Sequence, residues 1–332
     1  MQTKASPQPL NVLVWVAHHL EADSIIHDYV ERVTEVFSSH NVRIVQGPEA
    51  WRGNMHGVDV LVAWTFNPEI LTEADCLKWV QFGSAGINHA LSPQLLESGV
   101  RLTTLRGVHP EAASEHAIAM MLAWCRRLHL SRDHQAAAQW VRNPFTPHFR
   151  QFAGSTVGVI GMGGIGRAIA RKCRLLGARV IATRSSTAQA QEADQFVERD
   201  CLGPLLEQSH WVVLAVPDTG ATRRLIASGQ IAQMRSDAVL VNIARGTLVD
   251  ESALAEALQQ GRIAGACLDV FETEPLPEGS PLWAMPEVII TPHTAGATPD
   301  YGRLGAAIVQ QNLKAFLAGD SMPTQYDPAR GY

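Results

Sequence analysis

The sequence predicts an α/β protein with two domains, each built on a parallel sheet. Short apolar runs alternate with segments of helical periodicity, and parallel strands need such helical crossovers between them. The chain also has 332 residues, which exceeds the size that a single hydrophobic core usually reaches. Its hydrophobic content of 46% and charged content of 18% are typical of soluble globular proteins.

The first third of the chain alternates between strands and helical segments. A helix is predicted at 22–39, because apolar residues such as Ile25, Tyr29 and Val33 recur there at helical spacing. The predicted strands of this region are 11–17, 42–47, 58–65 and 77–86.

A long helix is predicted over 111–140, directly after Pro110, whose fixed φ suits the start of a helix. Its apolar residues, among them Met120 and Trp124, spread over more than one stripe of the helix. One stripe is enough for packing within a domain, so the second apolar face fits a subunit contact. Burial of both faces in the protein's own core explains the pattern equally well.

A second alternating series begins at residue 156 and predicts a doubly wound sheet within one continuous stretch. Its strands are predicted at 156–160, 179–183, 211–216, 238–243, 263–268 and 287–291. Its helices are predicted at 164–176, 200–208, 222–234 and 250–260.

The composition argues against several classes of function. The net charge of −5 provides no basic surface for nucleic acid. The five cysteines are scattered and never form a CxxC pair, which argues against a disulfide framework and a structural zinc site. The N-terminus lacks the apolar stretch of a signal peptide, and no run of about 18 apolar residues predicts a membrane helix. We therefore expect a cytoplasmic protein with no metal site.

A glycine-rich turn follows the first strand of the second series. In "VIGMGGIGR", Gly161, Gly163 and Gly166 have G-x-G-x-x-G spacing between a predicted strand and a predicted helix. Gly161 permits the tight turn, Gly163 lets the backbone approach a pyrophosphate, and Gly166 lets the helix pack closely. Free N–H groups at the helix start would face the phosphates. The pattern predicts a dinucleotide-binding Rossmann domain. The predicted cofactor site further includes Gly164, Ile165, Pro217 and Ile243.

The end of the next strand indicates which dinucleotide is preferred. Rossmann sites that prefer NAD place an acidic residue about 20 residues beyond the glycines, where it binds the ribose 2′-OH. This chain has Arg184 in that region, followed by Ser185 and Ser186. An arginine with two hydroxyls suits a 2′-phosphate, which a carboxylate would repel. NADP is therefore favoured over NAD, unless Arg184 merely points into solvent.

Three further stretches follow later strands, at the edge where open α/β sheets bind ligands. They are "VLVNIARGTLVD", "ACLDVFETEP" and "VIITPHTAG". Arg245 stands between two small residues, so its planar guanidinium can reach and hold a carboxylate or a carbonyl. Asp269 and Glu274 follow the next strand, and His293 follows the last. Each residue alone could be structural, but the combination points to a reaction site.

With these motifs the chain resembles the D-isomer-specific 2-hydroxyacid dehydrogenase family. The motifs "GMGGIG", "NIARG", "LDVFETEP" and "TPHTAG" occur in the family's order, and "SAGIN" and "SEHAIAMMLA" extend the resemblance to almost the whole chain. The resemblance implies a Rossmann domain at 105–294, inserted into a flavodoxin-like substrate domain made of 1–104 and 295–332. It also implies that the reaction takes place in a cleft between these domains, and that a final helix over 300–319 returns to the substrate domain.

The resemblance implies chemical roles for three residues. Arg245 would bind the carboxylate and the carbonyl of a 2-oxo acid. His293 would act as the general acid in reduction and the general base in oxidation. Glu274 would hold the imidazole in one tautomer and stabilise its protonated form.

The resemblance also implies binding roles and an assembly. Asp269 would contact the nicotinamide end of the cofactor. The backbone N–H groups of Ala85 and Gly86 would bind the carboxylate of the substrate. Family members are commonly dimers through the long helix after residue 110, so a homodimer is expected.

The expected reaction is the NADPH-dependent reduction of a small 2-oxo acid such as glyoxylate or hydroxypyruvate, because Arg184 stands where NAD-linked members carry an acidic residue. Glu274 disfavours a formate dehydrogenase, which has glutamine at that place. Two alternatives remain. One is an NAD-linked dehydrogenase of the D-lactate or phosphoglycerate type. The other is a dinucleotide-sensing interaction protein resembling the C-terminal binding protein corepressors of the same superfamily, which keep the Arg–Glu–His set.

Overall fold

Two parallel sheets organise the chain into two compact units. Unit 1 consists of residues 1–108 and 298–332, and unit 2 of residues 109–297. Within the part of the chain that is described, no helix is both long and apolar enough to cross a membrane. The computed structural model describes residues 8–17, 23–142, 149–183, 190–329 and 331.

Unit 1 begins with a flavodoxin-like sheet. Its strands are β1 (Asn11–Val16), β2 (Asn41–Gln46), β3 (Val60–Ala63), β4 (Trp79–Phe82) and β5 (Arg101–Thr103). The helices of this part are α1 (Asp23–Val36), α2 (Ile70–Glu73) and α3 (Pro93–Glu97). The strands pair in parallel in the order β2-β1-β3-β4-β5, which is the doubly wound order of flavodoxin-like sheets.

Unit 2 contains the larger sheet. Its strands are β6 (Thr156–Ile160), β7 (Arg179–Thr183), β8 (Gln195–Val197), β9 (Trp211–Leu214), β10 (Val239–Asn242), β11 (Gly265–Leu268) and β12 (Val288–Ile290). Its helices are α4 (Pro110–Cys125), α5 (Leu128–Ala136), α6 (Gly164–Leu175), α7 (Gly203–Gln208), α8 (Ser228–Gln233) and α9 (Glu251–Gln259). The strands pair in parallel in the order β12-β11-β10-β9-β6-β7-β8, which places the topological switch point between β6 and β9. The predicted fold class is confirmed.

Both faces of the larger sheet are buried, because its strands are apolar on both sides. On β10, Leu240 packs into the cluster under α7, α8 and α9, whereas Val239 and Val241 pack into the cluster under α4 and α6. Trp124 of α4 contacts Trp211 of β9 edge to face, with ring centroids 5.7 Å apart. Burial of both faces is typical of parallel sheets covered by crossover helices.

The last helix, α10 (Tyr301–Ala318), belongs to unit 1 and packs closely on α1. Glycines at the contact make this approach possible. A Cβ at Gly302 would overlap the carboxylate of Asp28, and a Cβ at Gly305 would lie 2.7 Å from the ring of Tyr29. The predicted helix at 300–319 therefore agrees with the structure to within one residue at each end.

The single long helix predicted over 111–140 is wrong, because the chain forms α4 and α5 with a break between them. Arg127 adopts a left-handed conformation with φ of 51°, which ends the helical path. Its guanidinium lies 3.9 Å from the ring centroid of Trp124. This cation–π contact buries Arg127 almost completely and favours the break.

The helix predicted at 222–234 is also too long, since α8 begins only at Ser228. Thr222 instead caps a turn, where its hydroxyl donates to the carbonyl of Pro217 at 2.7 Å. Ile226 then pairs with Val249 as an isolated parallel bridge. The side-chain hydrogen bond of the threonine competes with helix formation at this point.

Candidate active site

The glycine-rich turn after β6 has the geometry that its spacing predicts. Gly161 has φ of +105°, and a Cβ there would lie 2.5 Å from the carbonyl oxygen of Ala215. Its N–H donates to Oγ1 of Thr183 at 2.9 Å, which ties the turn to the end of β7. Only glycine fits this position, because both the backbone angle and the close neighbour exclude a side chain.

The other two glycines shape the start of α6. A Cβ at Gly166 would overlap the carbonyl oxygen of Gly161, so the helix can pack this closely only without a side chain. A Cβ at Gly163, the N-cap residue directly before α6, would meet nothing within 4 Å. The space beside Gly163 is therefore open in front of the N–H groups of the first helical turn, which have no intrahelical acceptor. This arrangement fits the pyrophosphate of a dinucleotide.

The remaining predicted cofactor residues differ in exposure. Ile243 is buried and packs with the cluster under α4 and α6, and Ile165 packs partly against the same cluster. Pro217 is exposed after β9, and Gly164 lies against Pro110, whose Cγ is 3.2 Å from the place of a Cβ. Arg184 and Ser185 lie outside the described residues, directly after the end of β7.

Arg245 stands on an exposed turn after β10 that a buried amide shapes. The Nδ2 of Asn242 donates to the carbonyl of Arg245 at 2.8 Å, and its Oδ1 accepts from the N–H of Ala244 at 3.1 Å. The neighbouring Gly246 has no room for a Cβ, which would overlap the backbone of Phe271. Gly246 therefore lets the Arg245 turn pack directly against the segment that leads to Glu274.

Glu274 and His293 form a close pair. Oε2 of Glu274 lies 2.6 Å from Nδ1 of His293, and Oε1 accepts from the N–H of Phe271 at 3.0 Å. The carboxylate is thus held by its own loop before it meets the imidazole. Since Nδ1 faces a carboxylate, it carries the proton of this hydrogen bond. The other ring nitrogen, Nε2, has no hydrogen-bond partner among the described residues, and the His293 side chain is 49% exposed.

Asp269 is buried, at 1% exposure, and its carboxylate accepts hydrogen bonds from the turn that carries His293. Oδ1 accepts from the hydroxyl of Thr291 at 2.6 Å and from the N–H of Thr294 at 2.9 Å. Oδ2 accepts from the N–H of Ala295 at 2.8 Å. The role that this geometry shows is to hold the turn, and contact with the nicotinamide stays a prediction.

A second histidine lies near Arg245 and His293. Burial lowers the pKa of His109, and the positive charges of Arg245 and His293 lower it further, while a hydrogen bond to the carbonyl of Gly296 acts in the opposite direction. Arg245 and His293 are therefore both close to His109. The sequence motifs assigned no function to this residue.

The predicted substrate residues Ala85 and Gly86 lie in unit 1, in the segment after β4. The carbonyl of Gly83 accepts from the hydroxyl of Tyr301, and the carbonyl of Ser84 accepts from the N–H of Leu105 at 2.9 Å. These contacts fix the segment from both sides. Among the described residues, the N–H groups of Ala85 and Gly86 meet no acceptor, so they are available to an anion.

The sequence motifs assign no role to five further residues around the site, namely His109, His116, Thr183, Asn242 and Thr291. Thr183, Asn242 and Thr291 share a signal that could have found them, because each is a polar residue at or just after the end of an apolar strand. No such signal marks the two histidines, whose partners lie far away in sequence.

The chain matches known proteins along most of its length. Residues 118–295 match the family model described as D-isomer specific 2-hydroxyacid dehydrogenase, NAD binding domain. Glyoxylate reductase of Korarchaeum cryptofilum is 34% identical over 270 residues, covering 80% of this chain and 81% of that protein. D-3-phosphoglycerate dehydrogenase of Mycobacterium leprae is 32% identical over 287 residues, which is 85% of this chain but 54% of that longer protein.

The fold also matches the solved structure of another reductase. The NADPH-dependent glyoxylate/hydroxypyruvate reductase of Sinorhizobium meliloti, solved with NADP and sulfate, superimposes with a TM-score of 0.82 at 25% identity. The match covers 97% of this chain and all of that one. The protein therefore belongs to the D-isomer specific 2-hydroxyacid dehydrogenase family and is an NAD(P)-dependent oxidoreductase that acts on the CH–OH group of its donors.

Proposed function

We propose that the protein is an NADPH-dependent reductase of a small 2-oxo acid such as glyoxylate or hydroxypyruvate. The observation that carries the proposal is the 2.6 Å pair of Glu274 and His293, which leaves Nε2 of the imidazole without a partner among the described residues. An imidazole held by a carboxylate at one ring nitrogen can present the other to a carbonyl oxygen as a proton donor. A bound nicotinamide dinucleotide would supply the hydride.

The catalytic residues then have separate tasks. Nε2 of His293 donates its proton to the carbonyl oxygen as negative charge grows there, and the carboxylate of Glu274 stabilises the imidazolium beforehand. The guanidinium of Arg245 places a fixed positive charge at the same oxygen and at the substrate carboxylate. In the oxidation direction His293 takes the proton back from the hydroxyl. The N–H groups of Ala85 and Gly86 are proposed to bind the substrate carboxylate.

The preference for NADPH rests on the sequence after β7. Arg184 and Ser185 follow Thr183 directly, and the segment 184–188 contains no carboxylate that would repel a 2′-phosphate. The similar reductase of Sinorhizobium meliloti was solved with NADP. We expect Arg184→Asp to swing the ratio of kcat/KM from NADPH toward NADH by a factor on the order of 10 to 100, because it exchanges a favourable charge for a repulsive one. A wild-type protein that already prefers NADH would overturn the cofactor proposal.

The substrate proposal is tested with a panel of 2-oxo acids, each assayed with both cofactors. Glyoxylate and hydroxypyruvate should give the highest kcat/KM, with turnover of about 1 per second or more. The reverse reaction with D-3-phosphoglycerate and D-lactate belongs in the same panel, since a phosphoglycerate dehydrogenase is also among the similar proteins. If the protein binds NADPH tightly but reduces or oxidises no member of the panel, the result contradicts the proposed reductase and favours the dinucleotide-sensing alternative.

We also propose a homodimer. Beyond α4, Leu128 is 56% exposed and Trp140 is 98% exposed, and large apolar side chains at such exposure are typical of contact surfaces. Light scattering of the purified protein should give twice the mass of the 332-residue chain, and Trp140→Glu should weaken the association. A monomer at micromolar concentration would refute this proposal.

A further inference from the structure

The turn from Thr291 to Gly296, here called the His293 turn, holds its histidine in an uncommon backbone conformation. His293 has φ of 53°, in the left-handed region that residues with a Cβ seldom occupy. Its N–H donates to the carbonyl of Asp269 at 2.8 Å and to that of Thr291 at 3.1 Å. Such a conformation persists only where the surroundings hold it, and it tends to occur where a side chain must be aimed.

One end of the His293 turn is held by His116 of α4. Nε2 of His116 lies 2.9 Å from Oγ1 of Thr291, and Oγ1 of Thr291 lies 2.6 Å from Oδ1 of Asp269. A carboxylate only accepts, so the single hydroxyl proton of Thr291 goes to Asp269. Oγ1 must then accept from Nε2–H of His116, which fixes the tautomer of this imidazole. The result is a directed chain from His116 through Thr291 to Asp269.

Asp269 carries this chain into the rest of the turn. Its buried carboxylate also accepts from the N–H groups of Thr294 and Ala295, which are the two residues after His293. A buried anion requires donors on all sides, so the carboxylate and the turn hold each other in place. Without the donor at His116, the hydroxyl of Thr291 is held by Asp269 alone.

The other end of the His293 turn is held by His109, the residue before α4. Its Nδ1 lies 2.8 Å from the carbonyl oxygen of Gly296, which can only accept, so Nδ1 carries a proton. A Cβ at Gly296 would lie 3.0 Å from that nitrogen, and glycine therefore allows the ring to approach. His109 precedes His116 by seven residues, which is two helical turns, so both project from the same side of α4.

From this geometry we infer that His109 and His116 are positioning residues that clamp the two ends of the His293 turn and so aim the imidazole of His293 at Glu274. The inference rests on the proposed role of His293 as the proton donor. Neither clamp residue is assigned contact with the substrate or the cofactor. Their effect on the reaction passes through the backbone of residues 291–296.

The test compares variants that remove each clamp hydrogen bond with variants that restore it. His116→Leu removes the donor at Nε2, whereas His116→Gln can place an amide N–H near the same point. His109→Leu and His109→Asn form the matching pair for Nδ1. Glu115→Leu is the control, because Glu115 is an exposed neighbour on the same helix. Thermal unfolding of each variant shows whether it is folded before kinetics are measured.

We expect His116→Leu to lower kcat about tenfold or more while KM for the 2-oxo acid changes less than about threefold, since misplacing a reacting group by an ångström costs up to about a hundredfold. His116→Gln should recover kcat to within about threefold of wild type, and Glu115→Leu should match wild type. The His109 pair should follow the same pattern. Wild-type kcat in folded His116→Leu and His109→Leu would overturn the inference. Failure of both restoring variants to recover kcat would also overturn the inference, because the imidazole itself, and not only its hydrogen bond, would then be required.

A spectroscopic measurement separates this inference from the proposed function. In protein with 15N-labelled histidine, the Nδ1–H of His293 bonded to Glu274 should give a downfield proton signal. That signal should broaden or vanish in His116→Leu and return in His116→Gln, whether or not any 2-oxo acid is reduced. An unchanged signal in both leucine variants refutes the clamp even if the enzyme is active. A signal that follows the clamp in an inactive protein refutes only the proposed function.

Discussion

The two units share a parallel, doubly wound sheet, but different chemistry follows the carboxyl ends of their strands. After β4 in unit 1, the chain has small residues and offers the main-chain N–H groups of Ala85 and Gly86. After β10, β11 and β12 in unit 2, it carries Arg245, Glu274 and His293. Main-chain amides can bind an anion but do not change their protonation state near neutral pH, whereas an imidazole can. We therefore expect changes in unit 2 to affect turnover and changes in unit 1 to affect substrate binding.

The largest effect is expected for His293→Ala. Without the imidazole no group donates the proton, so kcat should fall by about 10² to 10⁴. Binding of NADPH, followed by fluorescence titration, should stay within about twofold of wild type, because the glycine-rich turn is untouched. A near-normal kcat would show that His293 is not the proton donor. It would also contradict the expected difference between the two units.

A smaller effect is expected for Gly83→Ala in unit 1. The new Cβ would lie 2.5 Å from the ring of Trp64, so the segment carrying Ala85 and Gly86 must shift. KM for the 2-oxo acid should rise about tenfold with kcat changed less. Gly229→Ala is the control, since a Cβ there meets nothing within 4 Å. If kcat falls and KM does not change, unit 1 takes part in more than binding.

Glu274→Gln should move the pH dependence rather than abolish activity. The carboxylate at 2.6 Å favours the protonated imidazole, and a neutral amide does not. The pH profile of reduction should therefore shift relative to wild type. The measurement is kcat/KM between pH 5 and pH 9. A profile that coincides with wild type contradicts a working pair of Glu274 and His293.

The smallest effect concerns stability in acid. Burial lowers the pKa of His109, His129 and His210 in unit 2, whereas in unit 1 it raises the pKa of Tyr301 to about 12. The unfolded chain binds protons at these histidines from about pH 6.5 downward, before the folded protein does. The free energy of unfolding should therefore fall as the pH drops below about 6.5, and the neutral tyrosine contributes nothing there.

His210 offers a direct test of this acid sensitivity. Its Nδ1 accepts from the N–H of Thr156 at 3.0 Å, a bond that protonation at Nδ1 breaks. His210→Asn keeps an acceptor but cannot titrate, so it should lose less stability than wild type between pH 7.5 and pH 5.5 in urea unfolding. An identical loss in both proteins would show that His210 does not contribute.

Much of the fold could be predicted from the sequence, because long apolar runs bounded by turn residues leave few alternatives. The strands β6 and β7 begin and end at the predicted residues. The strands β5 and β8 were missed. Each has three residues and lies at the edge of its sheet, so neither needs the apolar pattern of a central strand.

By itself, the sequence predicted most of the strands and helices, the glycine-rich turn and the candidate residues Arg245, Glu274 and His293, because local spacing and backbone sterics act between near neighbours. The resemblance implied that Glu274 pairs with His293, but only the tertiary structure shows the contact, in which Oε2 and Nδ1 lie 2.6 Å apart across 19 residues of chain. Only the tertiary structure likewise shows that the carboxylate of Asp269 accepts hydrogen bonds from the His293 turn. It also shows that His116 contacts Thr291, 175 residues away in sequence. Hydrogen bonds between distant segments depend on how strands and helices pack, and the spacing of residues along the chain does not specify that packing.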